Sequence, residues 1–264
     1  MGTRMQEHKN QEAEVKVKSL QKALGVLNCF LFRPSLSLTE ISEMMGIYKS
    51  NAHNILSTLL SMGYVEKDAE TGRYRLGLGI YRLSKAMDSE HAIDRIAMPI
   101  IRELANSVSE SVVLCLPQGE DVLYIAGEIP GLIGFSGKPY FVGYTAKMYC
   151  TSSGKAMLAF MDEAERNRAL PEKLEAQTEF TITDRAVLDR ELEEIRRRGY
   201  ATDHMECVNG LSCLAYPVCD ESGKVLASLT ITGPSPRIES ANTPFLVQEL
   251  LRCGKKLTNL IRGN

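Results

Sequence analysis

No apolar run in this 264-residue sequence approaches the length of a membrane-spanning helix, and the N-terminus carries no signal-peptide pattern. Myristoylation is excluded too, because Gln6 stands where a Met1-Gly2 start needs Ser or Thr. Histidine is scarce, and His8, His53, His91 and His204 form no ligand pair. The seven cysteines (Cys29, Cys115, Cys150, Cys207, Cys213, Cys219 and Cys253) are odd in number and lack a C-x-x-C pair. The even spacing of Cys207, Cys213 and Cys219 matches no usual zinc site. Free thiols in a reducing cytoplasm are expected, with no metal and no cofactor. Charge of one sign is also missing: 31 Lys+Arg against 33 Asp+Glu leave −2, too little to coat a polyanion indiscriminately. There is no internal repeat and no low-complexity segment. The length allows one or two domains and a sizeable core.

The near-zero charge hides an asymmetry. Residues 1–90 hold 12 Lys/Arg against 10 Asp/Glu, leaving 19 against 23 for the remainder. A basic module beside an acidic one fits a nucleic-acid reader with a separate second domain.

The basic module is organised around residues 36–76. Ser37 with Glu40 has the capping-box spacing, Leu38, Ile41 and Met45 share one face, and Gly46 supplies a left-handed stop. A second helix starts near Lys49, with Ala52, Ile55, Leu56, Leu59 and Leu60 inward and Gly63 as its stop. Two strand-like runs, 64–67 and 73–76, flank a polar turn. Off the apolar face of the second helix stand Lys49, Ser50, Asn51, His53 and Asn54, all hydrogen-bonding and none acidic. A helix fits the DNA major groove and reads base edges near its N-terminus, where Asn suits adenine and Lys suits guanine or phosphate. Lys67, Arg73 and Arg75 on the hairpin suit the phosphate backbone or an adjacent minor groove. Thr39 on the preceding helix completes the candidate DNA contacts. The alternative is a small helical subdomain with a solvated polar face.

Residues 1–17 read as a flexible tail. A helix capped by Ser19 places Leu20, Leu24, Leu27 and Leu31 at helical spacing against the two-helix unit and ends at Arg33-Pro34. With the hairpin this makes a winged helix–turn–helix over 18–77. A linker helix, 78–91, carries the narrow stripe Ile80, Leu83 and Met87. The remainder, 92–264, reads as α+β with a largely antiparallel sheet. Its helices fall at 92–108 (with Pro99), 151–160, 185–198 and 243–261. Its strands fall at 111–116, 122–126, 200–202, 212–218 and 224–232, and glycine-rich 127–143 reads as a loop.

In this second domain Thr151-Ser152-Ser153-Gly154-Lys155 opens a helix, an anion site if the hydroxyls and the lysine face a cavity and an ordinary cap if they do not. Ser228, Thr230 and Thr232 share one strand face. Pointed into the domain this row makes a polar pocket, and pointed outward only a solvated face; taken together with Asp203 and Cys213, the expectation is a pocket for a small carboxylate. Enzyme readings compete for these residues. Ser152-x-x-Lys155 matches a nucleophile pattern without its partner motifs, and His204 is a base for Cys213 by proximity in sequence alone. A phosphate loop fails, because Ala156 follows Gly154-Lys155.

With these residues in view, the chain resembles the IclR family of bacterial transcriptional regulators. The resemblance rests on Ser19-Leu20-Gln21-Lys22-Ala23-Leu24, Gly63-Tyr64-Val65-Glu66, Thr71-Gly72-Arg73-Tyr74-Arg75-Leu76-Gly77, Gly154-Lys155-Ala156, Arg197-Arg198-Gly199-Tyr200-Ala201, Cys213-Leu214-Ala215-Tyr216-Pro217-Val218 and Thr232-Gly233-Pro234. It implies a winged helix–turn–helix, a linker helix and a GAF-like effector-binding domain. It also implies dimers or tetramers on palindromic double-stranded operators and a small organic acid as effector. The family pocket corresponds to Ser152, Ser153, Asp203, Cys213, Thr230 and Thr232. Family members often carry Gly or Ala at the first two of these, Ser at the last two and Arg at Asn54, so pocket size, polarity and a DNA contact are expected to differ here. The rival reading keeps the DNA-binding module and makes the second domain a ligand-free oligomerisation scaffold.

Overall fold

The computed structural model describes residues 15–31, 33–87, 93–130 and 142–263. The chain divides into two compact units, 1–90 and 91–264.

The first unit contains α1 (Lys18–Cys29), α2 (Leu38–Met45), α3 (Lys49–Ser61), the hairpin β1 (Val65–Lys67) and β2 (Tyr74–Leu76), and α4 (Leu78–Met87). The α2 cap forms in both directions: the Glu40 amide donates to Ser37 Oγ at 3.2 Å and the Ser37 amide to Glu40 Oε2 at 2.7 Å. Gly46 ends α2 at φ +59°, a left-handed conformation that glycine adopts without a Cβ clash. A backbone bridge absent from the sequence reading ties Leu36 to Tyr74, with N–H···O distances of 2.9 and 2.7 Å.

Two expectations about α1 are corrected. Ser19 does not cap it; the helix begins at Lys18 after Val17, and it ends at Cys29, short of Arg33. Leu20, Leu24 and Leu31 do not pack inward but are 56, 53 and 50% exposed. The packed side carries Val26, Cys29 and Phe30, with Leu27 partly buried beside them. Both sides of this helix are apolar, and Val26, Leu27 and Phe30 at i, i+1 and i+4 make the more compact contact with α2 and α3.

The second unit begins with α5 (Ile93–Val108), followed by β3 (Ser111–Gln118), β4 (Asp121–Glu128) and β5 (Thr145–Lys147). A 3-10 turn (Met148–Cys150) leads into α6 (Ser152–Leu158), α7 (Glu163–Arg168) and α8 (Arg185–Arg198). Then come β6 (Ala201–His204), β7 (Leu211–Cys219), β8 (Val225–Pro234), α9 (Ser235–Ile238) and α10 (Thr243–Ile261). The sheet runs β5-β4-β3-β8-β7-β6, every neighbouring pair antiparallel. The β3–β4 turn is tighter than expected, since Pro117 and Gln118 remain in strand and Gln118 pairs with Asp121. Gly127 belongs to β4, and most of the expected 127–143 loop lies outside the described residues.

Strand alternation divides this unit into two cores. Val112 and Leu114 of β3 and Ala227, Leu229 and Ile231 of β8 face α5 and α10. Val113 and Cys115 face the other way, toward α6 and α8. The intervening β8 residues, Ser228, Thr230 and Thr232, share that second side, so the hydroxyl row points into the protein. There α6 is wholly buried and lies so close to the preceding turn that a Cβ on Gly154 would overlap the Met148 backbone.

Gly154→Ala is expected to destabilise the chain by about 1–3 kcal/mol through this overlap. Denaturant unfolding measures it; an unchanged midpoint would mean that α6 does not sit against the Met148 turn.

Candidate functional site

In the first unit, α3 buries Ala52, Leu56 and Leu59 and leaves Lys49, Ser50, Asn51, His53 and Asn54 exposed on its opposite side. Tyr48, in extended conformation at the helix start, is 82% exposed and extends that face; the sequence reading did not include it. Thr39, one residue into α2, is partly exposed. The hairpin cations are less uniform than their shared charge implies. Lys67 is exposed and stands over the Tyr74 ring at 5.4 Å. Arg75 pairs with Glu66 at 2.9 Å. Arg73 is turned inward: it donates to Ser35 Oγ at 3.1 Å, to the Ser35 carbonyl at 2.9 Å and to Glu40 Oε2 at 2.8 Å. Bonds from the Ser37 backbone and side chain, aided by the Arg73 charge, hold the Glu40 carboxyl below its ordinary range.

In the second unit, Ser152, Ser153, Asp203, Cys213, Thr230 and Thr232 converge on one cavity. Its walls also include Val113, Tyr124, Thr151, Cys207, Val208 and Leu211, and its volume is about 50 Å³. Tyr124 comes to the wall through the β3–β4 register, where a shift between Leu114 and Cys115 sets it opposite Cys115. Cys207 and Val208 sit in the β6–β7 connection, where no periodicity marks them.

The polar groups differ in how far they are satisfied. Ser153 Oγ and Thr230 Oγ1 are 2.9 Å apart, and the Cys213 thiol donates to Thr232 Oγ1 at 3.2 Å. Thr151 Oγ1 accepts the Gly154 amide at 3.1 Å. Ser152 Oγ is buried and has no hydrogen-bond partner among the described residues. An unsatisfied buried hydroxyl costs about 1–3 kcal/mol.

Lys155 does not join this set. Its Nζ donates to Glu206 Oε1 at 2.5 Å, with both side chains almost wholly buried. The lysine charge expected in an anion site is therefore neutralised behind the wall. The Glu206 amide donates to Asp203 Oδ1 at 2.7 Å. Burial pushes the Asp203 carboxyl up to about 7, reinforced by the nearby Glu206 charge and opposed by that amide and by Lys155.

The nucleophile readings do not assemble. Lys155 is committed to Glu206, so it is no base for Ser152. Asp203 pairs with Cys213 across β6 and β7, whereas His204 pairs with Ser212. Neighbouring strand residues point to opposite sides. His204 is exposed and bonds Glu239 at 2.9 Å, away from the cavity. Burial pushes the Cys213 thiol up, away from the nucleophilic thiolate.

Comparison with known proteins agrees over nearly the whole chain. Residues 19–69 match the IclR helix-turn-helix domain, and residues 85–259 match the bacterial transcriptional regulator IclR C-terminal family. The HTH-type transcriptional regulator BhcR of Paracoccus denitrificans is 29% identical over 244 residues, covering 92% of this chain and 86% of that protein. The transcriptional repressor IclR of Escherichia coli is 27% identical over 248 residues, covering 92% and 89%. The crystal structure of an IclR transcriptional regulator from Alicyclobacillus acidocaldarius superposes with a TM-score of 0.75 at 29% identity, over 92% of this chain and 98% of that one. An IclR homologue from Microbacterium hydrocarbonoxydans, crystallised with 4-hydroxybenzoate, shares the fold at TM-score 0.77 and 22% identity, over 93% and 100% of the two chains. An α+β chain with a helix-turn-helix and a six-stranded antiparallel sheet, matched by both family models, belongs to the IclR family of DNA-binding transcriptional regulators.

Proposed function

We propose that the exposed face of α3 is the part of this regulator that enters the major groove, with Lys49, Ser50, Asn51, His53 and Asn54 at the bases and neighbouring phosphates. Thr39, Lys67 and Arg75 fit backbone contacts, and Arg73 braces the hairpin that presents them. The working division is a DNA-binding unit over 18–77, a linker over 78–91 and an effector unit over 92–264. A palindromic operator needs two such units about 34 Å apart. Apolar side chains left in solvent support a homodimer or homotetramer: Leu20 and Leu24 on α1, and Leu78, Tyr81 and Leu83 on α4, at 72, 59 and 55% exposure for the last three.

The effector reading is a small organic carboxylate in the cavity around Ser152, Ser153, Asp203, Cys213, Thr230 and Thr232. The observation that carries it is the convergence of Ser152, Ser153 and Thr230 on this cavity, with Ser152 Oγ unpartnered among the described residues. The relative crystallised with 4-hydroxybenzoate is in keeping with a ligand of this class. The Cys213 thiol, pushed up by burial, and the lack of an oriented base at Ser152 among the described residues favour binding over hydrolysis. Effector binding shifts the operator-binding equilibrium by its differential affinity for the two arrangements, and no further.

Three outcomes are expected. Lys49→Ala or Asn51→Ala weakens operator binding by about 1–3 kcal/mol with the fold intact, as read by a salt-controlled shift assay; unchanged affinity removes that residue from the interface. Thermal-shift screening of small carboxylates finds stabilisation that Thr230→Tyr abolishes; no stabilisation by any of them favours the scaffold reading. The third concerns Asp203. Folding lifts its carboxyl from near 4 to about 7, so its burial costs nothing below pH 4, progressively more up to pH 7 and a constant amount above. Asp203→Asn should therefore raise the melting temperature more at pH 8 than at pH 5.5. It should also remove a loss of carboxylate affinity that the parent shows above about pH 7, where an ionised Asp203 repels the anion. Equal shifts at both pH values would show that Asp203 is ionised throughout.

A further inference from the structure

The turn between α2 and α3 is fixed before it reaches the exposed face of α3. Ile47 donates its amide to the Ser42 carbonyl at 3.1 Å, and its own carbonyl accepts from the Ser42 hydroxyl at 2.6 Å. Ser42 is buried, and Ile47 packs against the core of the first unit. The next residue takes the opposite direction. Tyr48 stands at the start of α3 in extended conformation, its carbonyl accepting the Ala52 amide at 3.1 Å, and its side chain is 82% exposed. Among the described residues no other large apolar side chain is left so far in solvent.

The chemistry of its neighbours narrows what the ring can meet. The exposed residues that follow on α3, from Lys49 to Thr58, all carry hydrogen-bonding groups. Tyr48 adds a large apolar surface to that polar face. Base edges in the major groove present hydrogen-bond donors and acceptors and one apolar group, the C5 methyl of thymine. Residues at the N-terminal end of a recognition helix are the ones that reach base edges. A tyrosine has two side-chain torsions, so holding its ring against a partner costs little entropy for the area it brings. The fixed turn behind it removes the backbone part of that cost.

We propose that Tyr48 is a specificity-determining residue whose ring covers the C5 methyl of a thymine in each operator half-site. The proposal rests on the reading of α3 as the helix that enters the groove. Asn51 and its polar neighbours read hydrogen-bonding groups, and Tyr48 adds the apolar feature that marks thymine. Covering one methyl is worth about fourfold in an equilibrium constant. A contact from the Tyr48 hydroxyl to a phosphate, by contrast, strengthens binding at every sequence alike and specifies none.

The test selects duplexes from a randomised pool with the full-length protein, then measures affinity for the selected duplex at fixed salt. The parent should select thymine at one position of each half-site, and Tyr48→Ala should lose that preference while keeping the rest of the motif. Replacing the thymine by uracil in one half-site removes only the methyl. It should weaken the parent about fourfold and leave the affinity of Tyr48→Ala unchanged. Tyr48→Phe keeps the ring and should select as the parent does. The side chain is exposed, so melting temperatures equal to the parent's show a lost contact rather than a lost fold. Asn51→Ala, run alongside, separates two kinds of failure. If Asn51→Ala changes the motif and Tyr48→Ala does not, the proposal is overturned and α3 stays in the groove. A uracil penalty equal in parent and Tyr48→Ala, or a Tyr48→Phe that binds as weakly as Tyr48→Ala, overturns it too. A parent that selects no motif, or variants that all select the parent's motif, overturns the reading of α3 and the proposal with it.

Discussion

The buried ion pair between Lys155 and Glu206 is the interaction on which the second unit's cavity depends. Two charges taken out of water lose several kcal/mol of hydration each, which their attraction recovers only at close range and with other hydrogen bonds in place. Both conditions hold: the contact is 2.5 Å, and the Glu206 backbone is bonded to Asp203, Thr178 and Thr181. The pair contributes register more than net stability. It joins a helix whose first turn carries Ser152 and Ser153 to a connection carrying Cys207 and Val208, and so sets the distance between opposite walls. It also sets the field at Asp203, where Glu206 opposes ionisation and Lys155 favours it.

The first unit uses a more exposed version of the same device. Glu40 caps α2 through the Ser37 amide and binds Arg33 and Arg73 with its carboxylate oxygens. Exposed ion pairs add little stability one at a time. Here the carboxylate joins three segments, so the hairpin, the segment before α2 and α2 itself move as one body, with the Leu36–Tyr74 bridge adding a second tie. A helix reads a groove only if its side chains are held in place, and α3, set between left-handed Gly46 and Gly63, is mounted on that body.

The cavity unites chemistry that the strands keep apart elsewhere. In β8, Ala227, Leu229 and Ile231 are apolar and face α5 and α10, whereas Ser228, Thr230 and Thr232 between them carry hydroxyls on the α6 side. One strand therefore serves both a core and a binding surface without compromise to either. The same alternation separates Asp203 from His204, leaving a carboxyl and thiols in the cavity and the imidazole outside it. Among the described residues, no oriented base stands beside the Ser152 hydroxyl or the Cys213 thiol.

Much of this was legible in local patterns. The capping box at Ser37 and Glu40, the glycine stops at 46 and 199, the bounds of α8 and α10 and the shared face of the β8 hydroxyls all follow from residue type and spacing, whereas the inward direction of that face does not. Such features depend on a turn of helix or a few strand positions, so the sequence contains all their determinants. Tertiary structure decided what local spacing leaves open. The side of α1 that packs was undetermined because both sides are apolar. Lys155 reads as an anion ligand until Glu206, 51 residues away, is seen to hold it. Arg73 reads as a phosphate contact, and only the fold shows Ser35 and Glu40 taking its Nε and one amino group; Cys207 has no periodicity to reveal it as cavity wall. In each case the partner lies far along the chain, and a side chain's charge or polarity is fixed locally while its use is set by whatever folding brings against it.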